Sequence, residues 1–220
     1  MIAHNRETQL LQRAFRNLMN ACARPGLLGD IEPLARTGED AALPACFDMV
    51  VRTLVDQAVT FTVLGSRATE ANTWISLQTH SHTAEVTQSD FVLVPDVANS
   101  SACREGVLKA CAGTLIEPET SATIIIACGS LAGERIPGDD LTTVAPGNKT
   151  YCVRVEGPGV NGTATFFVDR IDWIEARSER GDEYPCGIDV ILVDEQGHIV
   201  AVPRTTKVMA IEKEGAAWDM

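Results

Sequence analysis

The chain has 220 residues, of which 45% are hydrophobic, and a formal net charge of −12 at pH 7. That apolar content can supply a sizeable core, and the acidic balance argues against a nucleic-acid binder that works by neutralising phosphates. No apolar run reaches membrane-spanning length, the N-terminus has no signal-peptide pattern, and seven scattered cysteines without a Cys-x-x-Cys spacing do not form a disulfide framework, so a soluble, cytoplasmic protein is expected.

Residues 7–23 read as an amphipathic helix, with Leu11, Phe15, Leu18 and Cys22 at helical spacing and Arg13, Arg16 and Asn20 on other faces. Arg24-Pro25-Gly26 stops it, because proline cannot continue a helix and glycine permits the turn. Residues 27–44 look irregular. A second helix is expected over 46–57, a strand at Thr60–Leu64, a helix over 67–79 and an apolar strand at Phe91–Val94 closed by Pro95. Asn99-Ser-Ser101 can cap a helix over 102–111, and Thr123–Cys128 is another apolar strand. This βαβ alternation predicts an α/β fold. The sheet should be mixed but mostly parallel and flanked by helices, since strands buried on both sides read as continuous apolar runs.

Beyond residue 128 the character changes. Residues 129–149, rich in Gly, Pro, Asp and Thr, read as a long loop or hairpin; Tyr151–Val155 alternates as a half-buried strand, and 166–179 reads as a helix. Two apolar runs flank Asp194-Glu-Gln-Gly197 and predict a β-hairpin, followed by Pro203 at a strand end. Thr206–Ile211 would complete the same sheet. One domain over residues 1–220 is expected, with 150–220 a smaller C-terminal subregion sharing its core.

Arg204, Thr205, Thr206 and Lys207 concentrate a guanidinium, two hydroxyls and an ammonium just after a strand. Such donors suit a phosphate-like anion; equally, threonines suit β-structure and cations guard an edge. Asp189, inside an apolar run, is costly unless paired or hydrogen-bonded; it accepts backbone N–H groups, pairs with Arg204 across the hairpin, or faces outward. Gly157-Pro158-Gly159 is a turn, or a place where backbone approaches a ligand or partner closely. Arg24 either complements a helix C-terminus or presents a guanidinium at its end. His80 and His82, with Glu85 nearby, lack a third ligand, so no metal site is expected. His4 and His198 look isolated. Phosphate-loop, dinucleotide-binding and nucleophile-elbow motifs do not occur.

Several segments together resemble the PhnH family of the bacterial carbon–phosphorus lyase system. They are Tyr184-Pro-Cys-Gly-Ile-Asp-Val-Ile-Leu192, Ala201-Val-Pro-Arg-Thr-Thr206 and the opening Phe15-Arg-Asn-Leu-Met-Asn-Ala-Cys-Ala-Arg-Pro-Gly26. Gly113-Thr-Leu-Ile-Glu-Pro-Glu119, Ser121-Ala-Thr-Ile-Ile-Ile126 and Gly157-Pro-Gly159 fall between them in matching order, so the resemblance spans roughly residues 13–209. It implies a fold like that of pyridoxal-phosphate-dependent transferases, without the cofactor. It also implies a homodimer within a core complex of G, I and J type subunits, which couples a phosphonate to the ribose of ATP with loss of adenine. A non-catalytic role follows from it. The alternative is a stand-alone small-molecule transferase or anion-binding enzyme that holds a phosphonate or nucleotide anion through Arg204–Lys207. The 129–150 loop and the 212–220 tail depart from the family's pattern.

Overall fold

The computed structural model describes residues 2–34, 42–134 and 150–211. Most of the expected 129–149 loop, part of the irregular 27–44 stretch and the 212–220 tail lie outside the described residues.

The elements run in this order: α1 (Ile2–Ala23), β1 (Gly29–Asp30), α2 (Ala45–Leu54), β2 (Thr60–Val63), α3 (Ala68–Thr79), β3 (His82–Thr83), β4 (Phe91–Val94), α4 (Ser100–Lys109) and β5 (Thr123–Ala127). Then come β6 (Leu131–Gly133), β7 (Tyr151–Glu156), β8 (Ala164–Val168), α5 (Asp172–Arg180), β9 (Asp189–Val193), β10 (His198–Val202) and β11 (Lys207–Ile211). A seven-stranded mixed sheet has the order β1-β10-β9-β5-β4-β2-β3. Its β3, β2, β4, β5 and β9 are mutually parallel, while β10 runs antiparallel to β9 and β1 to β10. The α/β reading therefore holds, with helices on both faces.

The apolar strands show why. In β5, Ile124 and Ile126 enter one buried cluster, whereas Ile125 and Ala127 enter the other. Residues alternate in the same way along β9 and β10, because successive strand side chains point to opposite faces. One cluster packs the sheet against α1, α2 and α3. The other packs it against α4, α5 and a second sheet.

That second sheet is the main departure from expectation. It is four-stranded and antiparallel, with order β11-β7-β8-β6. Thr206–Ile211 does not extend the hairpin's sheet: after Pro203 a turn redirects the chain, and β11 pairs with β7. The expected helix over 166–179 is likewise corrected. Residues 164–168 form β8, where Ala164, Phe166 and Val168 are buried with period two, and the helix begins only at Asp172. Val153, Val155, Phe166 and Val168 share one cluster with Val190 and Leu192 of the large sheet, so the late strands pack on the early ones.

In α1 the buried stripe is Ala14, Leu18 and Ala21, while Phe15, Met19 and Cys22 are exposed. The apolar spacing located the helix, but the small residues mark the face that lies closest to its neighbours. Helix α4 is capped as expected, Asn99 Oδ1 accepting the Ala102 N–H at 2.9 Å. Among the described residues no helix is long and apolar enough to cross a membrane.

Candidate functional site

The hairpin places the two best candidates side by side. Val202 lies opposite Val190, so Asp189 at the start of β9 comes level with Pro203, one residue short of Arg204. Pro203 has no N–H and ends the ladder. The Arg204 N–H then donates to Asp189 Oδ1 at 2.7 Å, and Nη2 and Nε donate to the same carboxylate at 2.8 and 3.4 Å. Nη1 donates to the Pro118 carbonyl. Of the readings left open for Asp189, acceptance of a backbone N–H and pairing with Arg204 across the hairpin are both observed.

The chain from 202 to 206 is gripped from behind by Arg177 of α5. Its Nη2 donates to the carbonyls of Pro203, Arg204 and Thr206 at 3.0, 3.1 and 3.2 Å, and Nη1 donates to that of Val202 at 3.4 Å. Burial pushes the Arg177 pKa down, against the opposing pull of Asp189 and Asp182. No local motif announces Arg177, because its partners are backbone carbonyls distant in sequence. Thr206 is only 4% exposed. Its N–H donates to the Pro203 carbonyl at 2.9 Å, but its Oγ1 is buried without a partner among the described residues. Thr205 and Lys207 are exposed, and Lys207 stands across from Glu156 at the start of β11.

The Gly157-Pro-Gly159 turn joins this region to the end of α1. A Cβ on Gly157 would lie 3.0 Å from the Thr205 carbonyl oxygen, and one on Gly159 would lie 2.4 Å from that of Ala23 and 2.9 Å from Pro25 Cδ. Gly159 has φ +83°, so only glycine fits there without strain. Arg24 follows α1 directly. Its N–H donates to the Asn20 carbonyl at 3.0 Å, and its side chain is exposed. Segments far apart in the chain, around residues 24, 158, 189 and 205, thus form one continuous region. Asp189 also reaches Cys22 electrostatically: partial burial, then this charge, push the thiol pKa up.

Two loops border the region. The Gly187 N–H donates to the Ala112 carbonyl at 2.8 Å, and Arg204 holds the Pro118 carbonyl. Between those anchors Leu115 is 75% and Ile116 91% exposed; on the adjoining loop Tyr184 is 79% exposed. Below them is a small polar cavity of about 190 Å³ lined by Arg177, Asp182, Gly187 and Arg204 among others.

Two further polar groups escaped the sequence reading. His198 is not isolated: its Nδ1 lies 2.8 Å from Asp194 Oδ2, and Asp194 also accepts the N–H groups of His198 and Leu131 at 2.8 and 2.9 Å. This buried pair closes the β9–β10 turn. Arg170 donates to the carbonyls of Asp96, Val97 and Ala127 at 3.2, 3.1 and 3.0 Å and pairs with Asp172, bracing the ends of β4 and β5. Burial pushes the Cys103 thiol beneath this brace up to about 12 and Cys46 up to about 11. Among the described residues no cluster of three His, Cys, Asp or Glu could hold a metal. Of the lysines, Lys109 pairs with Glu105 at 2.8 Å on the surface of α4.

These sequence-distant segments fall within one family match. The model of the family described as "Bacterial phosphonate metabolism protein (PhnH)" covers residues 3–209. The chain belongs to the PhnH family. A protein of Stutzerimonas stutzeri named as a C-P lyase subunit (HtxG) is 34% identical over 201 residues, which are 90% of this chain and 85% of that relative. Every segment on which the sequence resemblance rested falls within the PhnH match, and most of them meet around Arg204 and Asp189.

Proposed function

We propose that this PhnH-family chain is a non-catalytic subunit of a carbon–phosphorus lyase core complex and docks on its partner subunits through the apolar rim around the Arg204–Asp189 pair. The observation that carries this reading is how the signature residues are used. Arg204 and Asp189 satisfy each other and anchor neighbouring backbone, while Leu115, Ile116 and Tyr184 of the adjoining loops point large apolar surface to solvent. Contiguous exposed apolar side chains rimmed by polar groups mark protein interfaces. In this reading the chain acts in the cytoplasm as a single unit and a homodimer. Its companions are the G, I and J type subunits, and the reaction it supports joins a phosphonate to the ribose of ATP with loss of adenine. An architecture of the pyridoxal-phosphate transferase kind, used without that cofactor, belongs to the same proposal.

A direct test is to assay the purified chain for turnover of a phosphonate with ATP, alone and after co-expression with the G, I and J type subunits. The proposal expects no product from the chain alone and product from the assembled complex. Turnover by the isolated chain would overturn the non-catalytic role.

One observation favours a second reading, in which the region holds a phosphonate or nucleotide anion. Thr206 Oγ1 has no partner among the described residues, the Thr206 backbone lies against the Gly157 turn, and the next residue, Lys207, is exposed. In that case phosphate or a simple phosphonate stabilises the chain against heat, and Lys207→Ala removes the effect.

A further inference from the structure

The large sheet has a second feature that the signature region does not use. Helix α3 leads from β2 outward to β3 and packs in the cluster shared with α1 and α2, whereas α4 leads from β4 the opposite way to β5 and packs in the other cluster. The direction of winding therefore reverses between β2 and β4. In open α/β sheets a crevice opens at such a reversal, outside the carboxyl ends of the strands, and ligands bind there. Here that position is hollow. A cavity of about 540 Å³ is bounded by Gly65 and Ser66 after β2, by Pro95, Asp96 and Val97 after β4, and by Leu43 and Pro44 before α2. This volume suits a small organic ligand.

The lining determines the ligand's chemistry. Leu43, Pro44, Pro95 and Val97 give an apolar wall for a ring. Asp96 is fixed at the crevice: its Oδ1 accepts the Ala98 N–H at 3.1 Å and Oδ2 accepts Ser66 Oγ at 3.3 Å. A carboxylate accepts about four hydrogen bonds, so it retains capacity for hydroxyl donors. Glu195 adds a second acid, and the one cation of the lining, Arg67, is paired with Glu70. The local charge thus disfavours an anion. We propose that this crevice binds a neutral ring compound carrying vicinal hydroxyls, of the nucleoside or glycoside class. The ring lies on the proline–leucine–valine wall, and the hydroxyls donate to Asp96. The site is separate from the Arg204 region and stands whether or not the chain is a lyase subunit.

The test is ligand-observed NMR and calorimetry on the full chain with uridine, methyl ribofuranoside, spermidine and inorganic phosphate. The proposal expects saturable binding of at least one hydroxylated ring compound with Kd of about 1 mM or tighter. It expects phosphate not to compete. Asp96→Asn, which keeps the size of the side chain, should weaken binding by about tenfold or more. Ser66→Tyr, at an exposed position of the rim, should block it while leaving the unfolding temperature close to that of the parent. Four results would overturn the proposal: no saturable binding of either ring compound, binding indifferent to both variants, tighter binding of spermidine, or competition by phosphate.

Discussion

Arg204 meets Asp189 through both backbone and side chain, with its N–H at 2.7 Å, Nη2 at 2.8 Å and Nε at 3.4 Å from the carboxylate oxygens. The pair fixes the point where the chain leaves the seven-stranded sheet for the four-stranded one. It also ties the 112–118 loop to that point through the Pro118 carbonyl. Of the motif that could greet an anion, Arg204 is thereby turned inward to hold the fold, while Thr205 and Lys207 stay exposed.

Arg204→Ala should therefore destabilise the protein by about 2–3 kcal/mol, because it removes charge-assisted hydrogen bonds and leaves a partly buried carboxylate short of donors. Arg204→Lys should recover little of this, since an ammonium cannot reproduce the planar, multi-contact geometry. Urea unfolding followed by circular dichroism measures both. A loss within error of zero would mean that the pair is ornamental.

Gly159→Ala should cost at least about 2 kcal/mol, because the added Cβ meets positive-φ strain and the Ala23 carbonyl together. Gly162→Ala is the control. Its φ is also positive, at +77°, but nothing lies within 4 Å of the added Cβ, so it should cost less. Comparing the two unfolding midpoints separates backbone strain from the close approach of α1.

Much of the large sheet was legible because β4, β5 and β9 are apolar on both faces, and a run of that kind has few other uses. The second sheet was not, because β8 alternates within a stretch that reads as helical, and β11 pairs with β7 some fifty residues earlier in the chain rather than with the hairpin beside it. The joint at Asp169–Asp172 was missed for a related reason: Phe166, Phe167, Ile171 and Trp173 suggest one apolar helix until β8 is seen to alternate. At the site, Asp189 and Arg204 could be paired from hairpin logic. Arg177 could not be found, since an arginine that grips carbonyls leaves no pattern in its own neighbourhood.

Stability should fall in acid partly through Asp172. Burial alone would raise its pKa, but the hydrogen bonds and charge of Arg170 outweigh burial and hold it below its ordinary value of 3.8. A carboxyl whose pKa is depressed on folding stabilises the folded state above its unfolded value, and that contribution is lost as the pH drops below it. Unfolding free energy measured from pH 6 to below 3.8 should decline, and Asp172→Asn should flatten the decline at its lower end. Equal slopes for the two proteins would contradict this.

The thiols should divide into two classes. Cys46, Cys103 and Cys128 are buried, and burial raises the pKa of each, so they should resist a disulfide reagent in the native state. Cys22 is exposed and should react, though more slowly than a free thiol, because partial burial and Asp189 raise its pKa. Timed labelling read by mass spectrometry, with and without denaturant, gives the assignment. Rapid native labelling of Cys103 would contradict the packing beneath Arg170.

The account rests most heavily on Ile116 and Tyr184 being a surface for other subunits. The decisive measurement is co-purification of the G, I and J type subunits with a tagged chain carrying Ile116→Asp and Tyr184→Asp, compared with the parent. Both proteins should first give the same unfolding temperature, as befits positions so exposed. The account predicts that the parent retains the partner subunits and the folded double variant loses them. Undiminished co-purification by the double variant, or no co-purification by the parent, would contradict it.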